Sequence, residues 1–385
     1  MSIQTPHPAL LTPGPIEVGD DVLFAMRHSA ENHMGRSFVD VFGESLEMIR
    51  KVVKTRDPDS QPFILSGSGT LGFDQVAANV FEPGDEVLIL NVGYWGDSFA
   101  ECLRTYSVNI DVLKAPLGCQ PEHSQLEKML RAKTYSGITI THCDTVSGVL
   151  SDVRAISRLV REVSPDTLIV VDGVCSVGSE DLRFDDWHLD VLIAAPQKGL
   201  GSPAGLSIVV ASSRVMRQFE NRRTRPGAYF CSWRNWLPVM RAYESRAEPL
   251  YYATPPSQLI RALHAALARI LSCPFDERLT QHKQASATVK KAVAELGLKQ
   301  LASKPEDQAH GMTTILLPDG IRAEHILPRM VQKGVVLARG PQKEIAGQYI
   351  RFAHMGVTAT DPSRDDIQKG IRALKEALSE LQPTR

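Results

Sequence analysis

Short apolar runs alternate with stretches of helical period from about residue 60 to residue 210. The runs fall at residues 63–65, 87–90, 108–113, 138–140, 168–171, 191–193 and 206–210. Most lack a polar face, so the strands they predict must be covered on both sides. Their alternation with helices predicts an α/β fold built on a mostly parallel, doubly wound sheet. Glu82-Pro83-Gly84-Asp85 reads as a turn between a helix and a strand, and Ser151-Asp152 as the cap of a helix running to about Val163. Residues 222–258 break the pattern with prolines and aromatics. A second series follows, with strands expected at 312–317, 335–338 and 349–353 and helices at 322–332 and 363–380. Pro6, Pro8, Pro13 and Pro15 bar helix or central strand from the start of the chain. Three parts are expected: an extended arm (1–20), a large domain (21–270) and a small C-terminal α+β domain (271–385).

Charge and composition narrow the function classes. The chain has 385 residues, 43 Lys and Arg against 44 Asp and Glu, and a net charge of -1, which speaks against a nucleic-acid footprint. The basic run Arg222-Arg223-Thr224-Arg225 is short and reads as a solvated loop face. Six scattered cysteines without a C-x-x-C pair suit a reducing compartment, and the cytoplasm is expected. No stretch approaches the roughly 18 apolar residues of a membrane helix. The first 26 residues contain no Arg or Lys, unlike an Arg-rich transit peptide, and the terminal Pro383-Thr384-Arg385 is not the peroxisomal Ser-Lys-Leu address. The eleven histidines show no H-E-x-x-H or comparable cluster, so no metal site is suggested.

Candidate chemistry gathers at strand ends. Ser66-Gly67-Ser68-Gly69-Thr70-Leu71-Gly72 follows a predicted strand and opens a helix, where backbone N–H groups and the helix dipole would face an anion such as phosphate. The same glycines fit the G-x-G-x-x-G of dinucleotide enzymes, but the next strand ends in Asn91 rather than the acidic residue that would hold a ribose. A nicotinamide-dependent oxidoreductase, phosphate binding without ribose, and a tight turn without ligand all remain open on this motif alone.

Asp172 ends an apolar run, where an unpaired carboxylate would be costly; it meets a cation or donor there, or caps the next loop. Lys198 follows another apolar strand in a Gly-rich turn, the edge at which ligands of open α/β sheets bind, and a desolvated amine there can act as a Schiff-base nucleophile. Most lysines, however, are simply on surface loops. Trp95, in Gly93-Tyr94-Trp95-Gly96, is either core or a flat face for a planar ligand. Phosphate cradle, flat face, carboxylate and amine together suit pyridoxal 5'-phosphate. Cys143 and Cys175, near the same edge, read as packing residues.

These residues in order, from Leu11-Thr12-Pro13-Gly14-Pro15 through Ser66-Gly67-Ser68-Gly69-Thr70, Gly93-Tyr94-Trp95-Gly96, Val171-Asp172 and Gln197-Lys198 to Tyr349-Ile350-Arg351, resemble the class V, fold-type-I pyridoxal-phosphate aminotransferases. Within that class they are most similar to the alanine–glyoxylate/serine–pyruvate group. The resemblance implies that Lys198 forms the internal aldimine and shuttles the proton, that Asp172 pairs with the pyridinium nitrogen, and that Trp95 stacks on the ring. It implies Ser68, Gly69, Thr70 and Gln197 at the phosphate, Thr145 at the pyridine hydroxyl, and Gly14 and Arg351 at the substrate. Tyr251 and Thr254 match a Y-x-x-T-P motif that reaches the neighbouring subunit's cofactor, which implies a homodimer with shared sites. Asp144 and Val146 depart from the pattern, since relatives commonly carry Glu and a hydroxyl residue there.

The activity implied is ping-pong transamination of small amino acids and 2-oxo acids, from L-alanine to glyoxylate, giving pyruvate and glycine. Serine is the alternative donor, and the dinucleotide oxidoreductase is the rival from another class. A cysteine desulfurase is opposed by Trp95 at the ring position and by the lack of a His before Lys198.

Overall fold

The structure is a computed structural model that describes residues 4–381. Met1–Ile3 of the expected arm and the terminal Pro383-Thr384-Arg385 lie outside that range. In chain order the strands are β1 (Ala9–Leu10), β2 (Gln61–Ser66), β3 (Glu86–Asn91), β4 (Asn109–Lys114), β5 (Gly137–Thr141), β6 (Leu168–Asp172), β7 (Val191–Ala194) and β8 (Leu206–Ala211). They continue with β9 (Lys299–Gln300), β10 (Met312–Leu316), β11 (Val335–Val336), β12 (Ala338–Arg339) and β13 (Tyr349–Ala353).

The strands β2 to β8 form one seven-stranded sheet in the order β2-β8-β7-β6-β5-β3-β4. Pairings among β4, β3, β5, β6 and β7 are parallel, and β8 runs antiparallel to both its neighbours. Strands β5 to β8 are buried throughout, as covered strands must be. The edge strand β4 is largely open to solvent. Pro62 sits in β2, the other edge, the place where a sheet tolerates proline. Because β8 alone is reversed, β2, β3, β5, β6 and β7 all end at the same edge of the sheet.

The helix Val153–Val163 begins as the sequence predicts, with Asp152 accepting from the Ala155 N–H at 2.9 Å. The 82–85 turn closes through the Asp85 N–H on the Glu82 carbonyl, with Gly84 at a φ of +86°. Two readings are corrected. Residues 335–338 are not one strand: β11 pairs with β1, and β12 pairs with β13. The buried Leu337 lies between these pieces, so the chain changes sheets within four residues. Arg222 is not simply a solvated side chain. It is half-buried and donates to the carbonyls of Asn79 (2.7 Å) and Phe81 (2.8 Å), closing the end of the helix Gly69–Asn79.

A four-stranded antiparallel sheet, β12-β13-β10-β9, carries the C-terminal part. Apolar packing forms one large cluster drawn from residues 38–270. A second joins Ala9 and Leu11 to residues between 289 and 378. The arm therefore packs on the C-terminal sheet: Ala9 pairs with Val335, and the Ala353 N–H donates to the Leu11 carbonyl. No helix among the described residues is long and apolar enough to cross a membrane.

Candidate active site

Five strand ends converge on a cavity of about 250 Å³. Its wall includes Ser68, Gly69 and Thr70 after β2, Trp95 after β3, Thr145 after β5, Asp172 at the end of β6, and Gln197 and Lys198 after β7. Gly14 and Pro15 of the arm close it from the side. Nine of the residues singled out from the sequence thus meet in one place, although they are separated by up to 184 positions.

Lys198 is buried, and its amine donates to the Pro13 carbonyl. Burial lowers its pKa, as does the charge of Arg351, and no ion pair to it is present among the described residues. The turn that holds it is pinned from the C-terminal part of the chain. Buried Arg278 donates to the carbonyls of Gly178 and Gly199, both at 2.8 Å. Gly14 has a φ of +113°, and a Cβ there would stand 2.5 Å from both Cε and Nζ of Lys198, so only glycine lets the arm approach the amine.

Asp172 is buried, with the Val174 N–H donating to its Oδ1 at 3.1 Å. Burial pushes its carboxyl pKa up to about 7, a shift reinforced by the charge of Asp144 and opposed by the Val174 bond and Lys198. Asp144 organises the adjoining loop, its Oδ1 accepting from the Val146 N–H at 2.8 Å, the Ser147 N–H at 2.7 Å and the Ser147 hydroxyl at 3.1 Å.

The N-terminus of the helix Gly69–Asn79 faces the cavity. Ser68 precedes it in extended conformation, and its hydroxyl makes no capping bond. Gly69 brings that N-terminus against the Asp172 turn: a Cβ there would lie 2.7 Å from Val174. Gly72 packs on β7, where a Cβ would lie 2.3 Å from Ile193. Asn91, in the place of a ribose-binding acid, is buried and accepts from the Gly93 N–H (2.9 Å) while donating to Asp97 (2.6 Å). The Gln197 amide oxygen is buried without a partner.

Half-buried Trp95 donates from Nε1 to the Thr145 hydroxyl at 2.7 Å. Arg351, on β13, lies in an adjoining cavity of about 710 Å³ that shares Gly14, Trp95, Thr145 and Lys198 with the first. It donates to the carbonyls of Thr145 (3.1 Å) and Arg339 (2.7 Å), and its Nε is buried without a partner. Tyr251 and Thr254 are exposed and lie outside both cavities.

Cys143 and Cys175, read as packing residues, are buried in the wall of the inner cavity; the hydrogen bond between the two thiols, and then burial, hold the Cys143 thiol well above its ordinary pKa. Sequence reasoning missed Phe73, Val174 and Ala204 in that wall, as well as Arg278 and the Pro13 carbonyl. For Pro13 the usable signal was its place in the arm motif. Nothing local marks Arg278.

Comparison with known proteins agrees with this geometry. A family model described as aminotransferase class-V matches residues 22–356. Alanine–glyoxylate aminotransferase 1 of Saccharomyces cerevisiae is 37% identical over 378 residues, covering 96% of this chain and 97% of its own length. Serine–glyoxylate aminotransferase of Methylorubrum extorquens is 28% identical over 360 residues, covering 90% and 86%. The crystal structure of an alanine–glyoxylate aminotransferase from Nostoc sp. superposes with a TM-score of 0.89 at 26% identity, covering 98% of this chain and 97% of that one.

Proposed function

The chain belongs to the class V aminotransferases, and on that premise we propose that it carries the amino group of L-alanine to glyoxylate, giving pyruvate and glycine by a ping-pong mechanism. One observation carries the reading: a buried amine without an ion partner and a buried carboxyl share one cavity at the sheet edge. Serine is the second donor we propose, supported by the serine–glyoxylate aminotransferase relative.

Pyridoxal 5'-phosphate is the cofactor of this enzyme, and the residues present fit it. Asp172 has a backbone donor but no ion pair among the described residues, the Gln197 amide oxygen lacks a partner, and the Ser68 hydroxyl and a helix N-terminus face the same space. When bound, the cofactor supplies an aldehyde that condenses with amines and a ring that accepts the electron pair of the substrate α-carbon. We assign Lys198 as the amine that holds it and then moves the proton at the substrate α-carbon; burial lowers its pKa, in the direction of the neutral, nucleophilic form. Asp172 would ionise against the ring nitrogen. Trp95 would cover one ring face, and the Thr145 hydroxyl, while accepting from that indole, would keep its own hydrogen for the ring oxygen. Ser68, Gly69, Thr70 and Gln197 would take the phosphate. Arg351, whose own partners are carbonyls, would clamp the substrate carboxylate, with Gly14 beside it.

Tyr251 and Thr254 would reach the phosphate of a second subunit, which makes the working unit a homodimer; their exposure away from their own cavity supports this. We divide the chain at about residues 20 and 270, a division supported by the two apolar clusters. Six unpaired cysteines support a cytoplasmic location.

The test is the visible spectrum of the holoenzyme. L-alanine should bleach the cofactor band and glyoxylate should restore it, and Lys198→Ala should lose turnover. A band unmoved by alanine but bleached by serine would reverse the order of donors.

A further inference from the structure

Arg278 is a buried cation with no acid beside it. It lies near the start of the helix Phe275–Glu295, and no ion pair to it is present among the described residues. Burial pulls its pKa down to about 10. A desolvated guanidinium is costly unless its donors are well used, so its two bonds call for a reason. Nε donates to the Gly178 carbonyl and Nη2 to the Gly199 carbonyl, both at 2.8 Å. These acceptors belong to different turns. Gly178 lies in the turn that carries the chain away from Asp172 at the end of β6, and Gly199 directly follows Lys198 in the turn after β7. The two turns meet back to back. A Cβ on Gly178, whose φ is +89°, would stand 2.6 Å from the Gly199 carbonyl oxygen, and one on Gly199 would stand 2.6 Å from the Val177 carbonyl oxygen. Carbonyl oxygens gathered around one point repel unless a shared donor lies across them, and a planar guanidinium fork holds two acceptors in a fixed relation. The same helix also grips the other side of the site. His282 accepts the Gly356 N–H on Nε2 at 3.1 Å, which leaves Nδ1 to donate to the Arg278 carbonyl at 2.8 Å. Gly356 in turn abuts the arm, where a Cβ would stand 2.5 Å from Cδ1 of Ile16.

We propose that Arg278 is a positioning residue for the transamination: by holding the Gly178 and Gly199 carbonyls together, it fixes the Lys198 amine relative to the Asp172 carboxyl. The inference rests on the aminotransferase reading above, which assigns those two groups to the aldehyde and the ring nitrogen of the cofactor. The sheet alone does not set their relation. The register between β6 and β7 ends at Asp172 and Ile193, so the ladder stops short of Lys198. Arg278 lines neither cavity and acts through the main chain of the two turns rather than on the reacting atoms.

The experiment compares the wild type with Arg278→Met, which keeps apolar bulk without a donor, and Arg278→Lys, which keeps the charge without the fork. Cooperative thermal melts establish first that each variant is folded. With L-alanine and glyoxylate, kcat of the holoenzyme should fall about a hundredfold in Arg278→Met and about tenfold in Arg278→Lys, with KM for alanine within about twofold, because misplacing a reacting group costs rate rather than binding. Two readings do not depend on turnover: the rate at which the apoenzyme captures added pyridoxal 5'-phosphate, and the visible circular dichroism of the bound cofactor. Both should decline in the order wild type, Arg278→Lys, Arg278→Met. A folded Arg278→Met with the kcat, capture rate and dichroism of the wild type overturns the inference, as does a loss of kcat that only matches the fraction of protein unfolded. If Arg278→Met does not fold, Arg278→Lys decides by the same readings. A wild type that captures the cofactor but transaminates no donor overturns the aminotransferase reading, and the capture rates then decide on Arg278 alone.

Discussion

Trp95 and Thr145 are joined by a hydrogen bond of 2.7 Å from the indole N–H to the threonine hydroxyl, and the carbonyl of the same threonine takes the Arg351 guanidinium. One residue thus ties the indole that would cover the cofactor ring to the guanidinium that would hold the substrate. Thr145→Val keeps the side-chain shape and the carbonyl but leaves the indole donor without its acceptor. We expect cofactor affinity to fall about five- to tenfold, the worth of one hydrogen bond, with a small change in donor KM. Absorbance titration of the apoenzyme reads the first, and an unchanged affinity would remove Thr145 from the cofactor site.

Gly14 is the narrowest point between the arm and the lysine. Gly14→Ala forces a Cβ into the space of the Lys198 side chain and holds alanine at a φ of +113°. The strain should destabilise the protein by about 1–3 kcal/mol. Displacing the amine should lower kcat about a hundredfold, because reacting groups tolerate little misplacement. Thermal melts and steady-state rates check the two effects separately.

Asp172 makes apoenzyme stability depend on pH. Its proton is held up to about 7 in the folded chain, against about 3.9 when unfolded. Between those values the folded state binds the extra proton, so the group's contribution to stability falls as pH rises through that window and is fully unfavourable above it. Melting temperatures of the apoenzyme should therefore drop, relative to Asp172→Asn, between about pH 4 and pH 7. The same variant should lose at least about a hundredfold in kcat, since a neutral amide cannot stabilise charge on the ring nitrogen. Parallel melting curves for the two proteins would contradict this picture.

Tyr251 tests the shared site. Tyr251→Phe removes one hydroxyl from an exposed position, so fold stability should stay within about 0.5 kcal/mol. Cofactor affinity should fall about five- to tenfold through the loss of one hydrogen bond to phosphate. Sedimentation should give a dimer for both proteins. A monomeric wild type with full cofactor affinity would refute the shared site.

The central sheet was legible because its strands are apolar on both faces, a pattern that survives without knowledge of partners. Asp172 and Lys198 stood out because polar residues at the ends of such runs must be explained. What the sequence hid is contact between distant segments. The Pro13 carbonyl lies 185 positions from the lysine it meets, and nothing around Arg278 announces that it secures the Lys198 turn. Arg222 misled for the same reason: its carbonyl partners, Asn79 and Phe81, lie at and just past the end of a helix about 140 residues earlier. The run at 335–338 read as one strand because hydrophobicity marks burial but not which sheet a residue joins.

The arm that reaches Lys198 is anchored on β11 and β13, the far end of the chain. In the order of synthesis, Ala9 and Leu11 wait for partners at Val335 and Ala353. A nascent chain of 300 residues already contains all seven strands of the large sheet and the lysine itself, yet has no partner for Ala9 or Leu11. The arm's bond to Ala353 forms only after residue 353 has been made, so the wall that Gly14 sets beside the Lys198 amine is anchored later than the sheet that carries the lysine.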